Sequence, residues 1–121
     1  MIRFYYNLAP NPRKVALFLE EAGLAYEPIP VDTRKGEQHD PAYTALNPNA
    51  KAPAIVDSDG TVVFDSNAIL LYLAARQGAF LGAPSQRGAL LSWLMFIATG
   101  VGPYNGQAVH FQVAAPEFPY A

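Results

Sequence analysis

Cysteine is absent from this 121-residue chain. That excludes a disulfide framework, a cysteine-built metal site and a cysteine nucleophile, so any thiol chemistry has to arrive with a ligand. Charge is sparse too: Asp, Glu, Lys and Arg make up 15% of the residues, and the formal net charge is -2. The eight Lys and Arg are scattered, whereas a nucleic-acid surface needs clustered basic residues. The only histidines, His39 and His110, are too far apart in sequence to argue for a metal, and no metal is expected. No apolar run approaches the roughly 20 residues that span a bilayer. The opening Met-Ile-Arg-Phe-Tyr-Tyr lacks the charged-then-apolar layout of a signal peptide. A cytoplasmic protein without membrane or nucleic-acid partners is the expectation. Hydrophobic residues at 51% suit a packed core.

Periodicity divides the chain into elements. Ile2 to Tyr6 reads as a strand. Val15, Phe18, Leu19 and Ala22 recur at helical spacing, with Asn11 placed as the N-cap, Pro12 at the first helical position and Gly23 as the stop. Tyr26 to Val31 is a second strand; its Pro28 and Pro30 confine it to a sheet edge. A strand, helix and strand of this length form a right-handed βαβ unit with parallel strands. Asp32 to His39 is polar and loop-like. Asp40-Pro41 opens a short helix ending near Leu46. Ala54 to Val56 and Thr61 to Phe64 flank a Ser58-Asp59-Gly60 turn and form a hairpin. Asp65-Ser66 starts a helix through about Gln77, with Ile69, Leu70, Leu73 and Ala74 on its apolar face. The order β-α-β-α-β-β-α is that of a thioredoxin-like fold. The fold class is thus α/β: a βαβ-ββα domain over residues 1–80, a linker at 81–84, and a truncated all-α segment over 85–121. In that segment Ser85 is placed as a cap, and Gly100-Val101-Gly102-Pro103 as a kink or interruption.

Three places carry polar chemistry. Pro10-Asn11-Pro12 stands at a strand-to-helix turn, where unpaired N–H groups and partial positive charge make a seat for a thiolate; Asn11 either adds a hydrogen bond to sulfur or simply caps the helix. Ala52-Pro53 precedes a strand. A cis bond there would turn the Ala52 main chain toward the end of the first helix, where it can pair with a peptide like an added strand; a trans bond is the plain alternative. Asp65-Ser66 offers an acid for an ammonium group, and a hydroxyl with backbone N–H groups for a carboxylate; a capped helix start is again the plain alternative. Trp93 is assigned to core packing, and Arg13 and Lys14 to solvent. Tyr5 is a minor candidate for catalysis, since strand aromatics usually face a core.

In this order and spacing the three places resemble the glutathione site of cytosolic glutathione transferases. The resemblance rests on Asn47, Pro48, Lys51 and Pro53, on the Asp-Ser-x-Ala-Ile-Leu-x-Tyr-Leu run from Asp65 to Leu73, and on Gly100 to Phe111. The last stretch, with Gly36 to Gln38, is similar to the bacterial Nu-class and the yeast nitrogen-regulator (Ure2-like) branch. The resemblance implies that glutathione is the co-substrate. Asn11 would face its sulfur as the catalytic residue, and the Ala52 main chain, flanked by Lys51 and Pro53, would pair with its cysteine. Gln38 would contact the glycine or backbone, and Asp65 and Ser66 would hold the γ-glutamyl end. It further implies disulfide reduction, or conjugation to an electrophile. A binding or regulatory module without significant turnover is the alternative. The chain departs from the Nu-class pattern at Ala9, where Thr or Ser often offers a hydroxyl to sulfur. Ala50 replaces a frequent Gly, and Ala52 a larger aliphatic.

Members of that family carry a larger helical second domain, of which residues 85–121 are the beginning. Leu91, Trp93, Leu94, Phe96, Ile97 and Phe111 then need partners. A homodimer or oligomer is expected, or else the chain is a fragment of a longer protein.

Overall fold

The central strand, β1 (Ile2–Tyr6), alternates its side chains: Ile2 and Phe4 are buried on one face, and Arg3 and Tyr5 take the other. The computed structural model describes residues 1–119. After β1 come α1 (Pro10–Glu21), β2 (Tyr26–Pro30), a 3₁₀ turn (Glu37–His39), α2 (Pro41–Thr44), β3 (Ala54–Val56), β4 (Val62–Phe64) and α3 (Ser66–Gln77). The four strands form one sheet in the order β2-β1-β3-β4. β1 runs parallel to β2, with Phe4 opposite Pro28. It runs antiparallel to β3, with Tyr5 opposite Ala54, and β3 runs antiparallel to β4, with Ala54 opposite Phe64. This is the βαβ-ββα order expected from the sequence.

The two prolines of β2 suit its edge position for a specific reason. The Val31 N–H donates inward to the Tyr6 carbonyl at 2.8 Å. Residues 28 and 30, of opposite parity, would direct their N–H groups away from the sheet. Proline removes donors there that no strand would receive, and blunts the edge against foreign pairing.

The sheet separates two apolar clusters. Ile2, Phe4 and Ile55 pack with Val15 and Leu19 of α1 and with Ile69 and Leu73 of α3. On the opposite face Val31, Tyr43 and Ala54 pack with Tyr5 and Leu46. Tyr5 therefore belongs to a core, its ring 5.7 Å from that of Tyr43. Helix α1 ends as expected at Gly23, φ +65°. The Leu24 N–H bonds to the Leu19 carbonyl and the Gly23 N–H to the Glu20 carbonyl, the paired bonds of a Schellman stop.

Asp57, just past β3, is buried and passed unnoticed in the sequence. Its carboxylate accepts hydrogen bonds from the Tyr72 hydroxyl (2.6 Å) and the Ser58 amide (2.7 Å), and pairs with Arg76 at 3.1 Å. The hairpin is thereby fastened to α3. Burial pushes the carboxyl upward, but Tyr72, Ser58 and Arg76 more than offset this and hold it below its ordinary pKa.

Contacts divide the chain between Gln77 and Gly78. The second unit holds a 3₁₀ turn (Pro84–Gln86), α4 (Arg87–Phe96), a π-helical segment (Ile97–Val101), α5 (Gly102–Val109) and a second π-helical segment (His110–Ala114). Pro103 lacks the N–H that an α-ladder requires. The expected interruption takes the form of a wider turn: the Gly102 N–H reaches the Ile97 carbonyl five residues back, a π-bulge. Ser85 does not cap; instead the Gln86 Oε1 accepts the Ala83 N–H at 2.8 Å. Trp93 is not core either, being 67% exposed with its ring edge-on to Phe96. Neither α4 nor α5 contains a buried residue. No helix among the described residues is long and apolar enough to cross a membrane.

Replacing Asp57 by Asn is expected to lower the unfolding free energy at pH 7 by about 1.5–3 kcal/mol, the range for a hydrogen bond to a charged group. The folded-state pKa is depressed, so this stability is fully present above the unfolded carboxylate pKa and is lost as pH falls through the folded one. Denaturant titrations of both proteins should therefore converge in acid; equal stability at pH 7 would refute the role.

Candidate functional site

Strand register brings the three polar places to one end of the sheet. Tyr5, Ala54 and Phe64 form a row. The segment after β1, the residues before β3 and those after β4 all leave the sheet at that row. They carry Asn11, Ala52-Pro53 and Asp65-Ser66.

Asn11 is the second residue of α1, which starts at Pro10 with Ala9 as its N-cap. The placement of Asn11 as a cap is thus corrected. Both Pro10 and Pro12 satisfy first-turn φ, so the sequence pattern allowed either start. Alanine has no capping group; instead the Asn7 Oδ1 accepts the Ala9 N–H at 3.0 Å. Two prolines in the first turn carry no N–H, and the Arg13 N–H bonds to the Ala9 carbonyl. The Asn11 backbone N–H and side-chain amide are what remains open at this helix start among the described residues. Asn11 is exposed.

Ala52-Pro53 is a cis peptide, which resolves the alternative left open by the sequence. Pro53 is buried and Ala52 half-buried. The segment before them is cinched by one acceptor: the Lys51 carbonyl receives the Tyr43 hydroxyl at 2.6 Å and the Asn47 side-chain amide at 2.8 Å. Asn47 is 2% exposed, and its Oδ1 accepts the Asn49 N–H. Burial, with the nearby Tyr5, pushes the Tyr43 hydroxyl pKa up to about 12, so Tyr43 remains a donor. The Lys51 side chain itself is exposed. Ala50, at φ 53°, adopts the left-handed conformation that the frequent glycine there would take at no cost.

Asp65 lies at φ 75° and is the cap of α3: its Oδ1 accepts the N–H groups of Asn67 (2.9 Å) and Ala68 (3.2 Å). The plain alternative, a capped helix start, is thus what the structure shows, and capping engages one of the two carboxylate oxygens. Ser66, first in α3, is 6% exposed, and its hydroxyl has no partner among the described residues. Gln38 lies in the 3₁₀ turn that the sequence left as a loop. Its Oε1 is buried without a partner, and it makes no hydrogen bond to the other site residues.

Lys14 departs from expectation. It is half-buried, and its ammonium donates to the Asn67 Oδ1 at 2.7 Å. Burial lowers its pKa, and the Asp65 charge opposes that. A groove of about 510 Å³ at the C-terminal ends of β1 and β2, bordered by Asn7, Leu8, Ala9, Val31, Thr33 and Arg34, was also not foreseen. None of the sequence-derived site residues lines it, although Ala9 directly precedes α1. Its one available signal was the switch from parallel to antiparallel pairing at β1, where clefts form at strand ends.

The profile described as "Glutathione S-transferase, N-terminal domain" matches residues 9–76. The chain is 47% identical to the "Disulfide-bond oxidoreductase YfcG" of Escherichia coli (strain K12), covering all of this chain and 60% of that protein. It is 38% identical to the "Protein URE2" of Eremothecium gossypii, covering 90% of this chain and 33% of that one. Among solved structures, a glutathione transferase family member from Pseudomonas fluorescens with two glutathione bound superposes with a TM-score of 0.91 at 37% identity. That match covers 98% of this chain and 55% of the other. The chain therefore spans between a third and three fifths of the length of these relatives.

Asn47→Ala removes a buried donor to Lys51 and a buried acceptor for Asn49. A loss of about 1–3 kcal/mol in unfolding free energy is expected, from the cost of orphaned buried polar groups. An unchanged denaturation midpoint would show that Tyr43 alone holds the segment.

Proposed function

The chain belongs to the glutathione S-transferase family and carries its N-terminal domain, and from that premise we propose that it binds glutathione across the row of loops at the sheet end. One observation carries the reading: the polar groups assigned to the ligand are those the fold leaves without internal partners. These are the Asn11 amide, the Ser66 hydroxyl and the buried Gln38 Oε1. Native folds rarely leave a buried group such as the Gln38 Oε1 unmet, whereas the exposed Asn11 amide is open to a ligand.

In this reading the γ-glutamyl ammonium meets the Asp65 oxygen that is not engaged in capping, and the α-carboxylate meets the Ser66 hydroxyl. The cysteine backbone pairs with the Ala52 main chain beside Lys51 and Pro53. Gln38 serves the glycine end. The sulfur lies at the start of α1, where the Asn11 N–H and amide donate to it. Hydrogen bonds to the charged form and the helix's partial positive charge lower the thiol pKa, which raises the attacking thiolate fraction. The thiolate attacks one sulfur of a substrate disulfide; a mixed disulfide forms and the other sulfur leaves as thiolate. Conjugation to an electrophile uses the same thiolate. With no cysteine in the chain, glutathione is the nucleophile in either case. A glutathione-binding module without significant turnover is the second reading. Ala9, which offers sulfur no hydroxyl, and the single open backbone N–H at α1 favour it.

We place this activity in the cytoplasm, with residues 81–84 as a linker and 85–121 as the beginning of the helical domain. Trp93, Phe96 and Ile97 are 67%, 53% and 43% exposed. Burying each is worth about 1.5–3 kcal/mol, which favours a cover: a second copy in a homodimer or higher oligomer, or more chain, as in the relatives of which this sequence spans 55–60%. Light scattering is expected to give a multiple of the chain mass; a monodisperse monomer would remove this element.

Calorimetric titration with reduced and with oxidised glutathione tests the site. Ser66→Ala, and Asp65→Asn, which keeps the cap, are each expected to weaken binding about tenfold or more, as losing a hydrogen bond to a charged group does. Absence of binding by the unmodified chain would end the reading. Binding without glutathione-dependent disulfide reduction would select the second one.

A further inference from the structure

Between the seats proposed for sulfur and for the γ-glutamyl group runs a polar link that neither seat requires for its own geometry. Lys14 follows Asn11 by three residues in α1 and so shares its side of the helix. Its ammonium reaches across 53 residues of sequence to the Asn67 Oδ1 at 2.7 Å. Asn67 directly follows Ser66, and its own N–H is bound to the Asp65 Oδ1. One side chain of α1 is thus joined, through Asn67, to the residue on each side of Ser66.

The apolar contact of α1 with α3 lies farther along the helices, at Val15, Leu19, Ile69 and Leu73. Apolar contact is non-directional and does not by itself set how far apart the two helix starts stand. A short charge-assisted hydrogen bond is directional and does. A half-buried lysine, moreover, bears a desolvation cost unless a partner meets it, and Asn67 is that partner, with the Asp65 charge close by.

We propose that Lys14 is a positioning residue: through Asn67 it straps the N-terminal part of α1 to that of α3 and fixes the separation of the sulfur seat from the γ-glutamyl seat. The proposal rests on the glutathione reading and deepens it. A ligand that spans both seats feels the strap; one that occupies only the α3 seat does not.

Glutathione and γ-glutamylalanine, which lacks both thiol and glycine, are titrated against the unmodified chain, Lys14→Met, Asn67→Ala and the double variant, with Lys14→Arg as the conservative replacement. Misplacing a positioned group by about 1 Å costs up to about 10²-fold, and about tenfold weaker glutathione binding is expected for each single variant. The double variant should be no weaker than the worse single one, because both remove the same link. Affinity for γ-glutamylalanine should stay unchanged, and Lys14→Arg should recover most of the glutathione affinity. Three outcomes would overturn the strap. Additive losses would mean independent roles. A neutral Asn67→Ala beside a damaging Lys14→Met would mean that Lys14 touches the ligand directly. Equal losses for both ligands would mean local damage at α3. If Lys14→Met does not fold, Asn67→Ala alone decides: it must discriminate between the ligands. Failure of the unmodified chain to bind either ligand would instead refute the glutathione reading, and the strap with it.

Discussion

The placement of β1 between β2 and β3, with Tyr5 opposite Ala54, is the constraint on which the rest depends. Side chains alternate with a period of two, so a slip of one residue would exchange Ile2 and Phe4 for Arg3 and Tyr5 on the face covered by α1 and α3. Ile2 and Phe4 are each 2% exposed. Burial of such side chains is worth about 1.5–3 kcal/mol apiece, and a slipped register would forfeit it while burying Arg3. Hydrophobic burial thus selects one register. That register then decides something unrelated to hydrophobicity, namely which loops leave the sheet side by side.

Polar contacts refine what the register places. The Lys51 carbonyl, held by Tyr43 and Asn47, anchors the segment that leads into Ala52-Pro53. The Asp65 carboxylate satisfies two helix-start N–H groups while its backbone stays at φ 75°. Ala50 is likewise at positive φ. A left-handed conformation costs a residue with a Cβ roughly 1–2 kcal/mol. These two lie in or beside the candidate site, while a third, Phe80 at φ 67°, lies in the second unit. The first two are each held by surrounding hydrogen bonds: Ala50 by the Asn47 carbonyl, and Asp65 by its bond from the Ile69 N–H. The fastening of Asp57 to Tyr72 and Arg76 steadies the end of the hairpin opposite the candidate site.

The helical unit follows a different economy. Its residues satisfy backbone hydrogen bonds within one run, with π-turns accommodating Pro103, and leave Trp93, Phe96 and Ile97 uncovered. A helix that is apolar on more than one side is built to be covered on more than one side. The first unit, by contrast, buries both sheet faces with its own helices and loops.

Local pattern by itself determined most of the fold. β1, β3 and the end of α3 coincide with the stretches read from alternation, helical spacing and glycine stops. The two prolines of β2 declared an edge strand, and the order of elements declared the βαβ-ββα class. The same signals placed Asn11, Ala52-Pro53 and Asp65-Ser66 at element starts. They missed by two residues where Pro10 and Pro12 were equally acceptable, since proline restricts φ without saying which turn comes first. What only the tertiary structure decided were the partners: Asn67 for Lys14, Tyr72 and Arg76 for Asp57, and Lys51 for both Tyr43 and Asn47. Periodicity reports the side of a helix or strand on which a residue lies. It carries no information about the atoms that meet that side, because those belong to other segments and are brought there by the packing of the chain rather than by local preference.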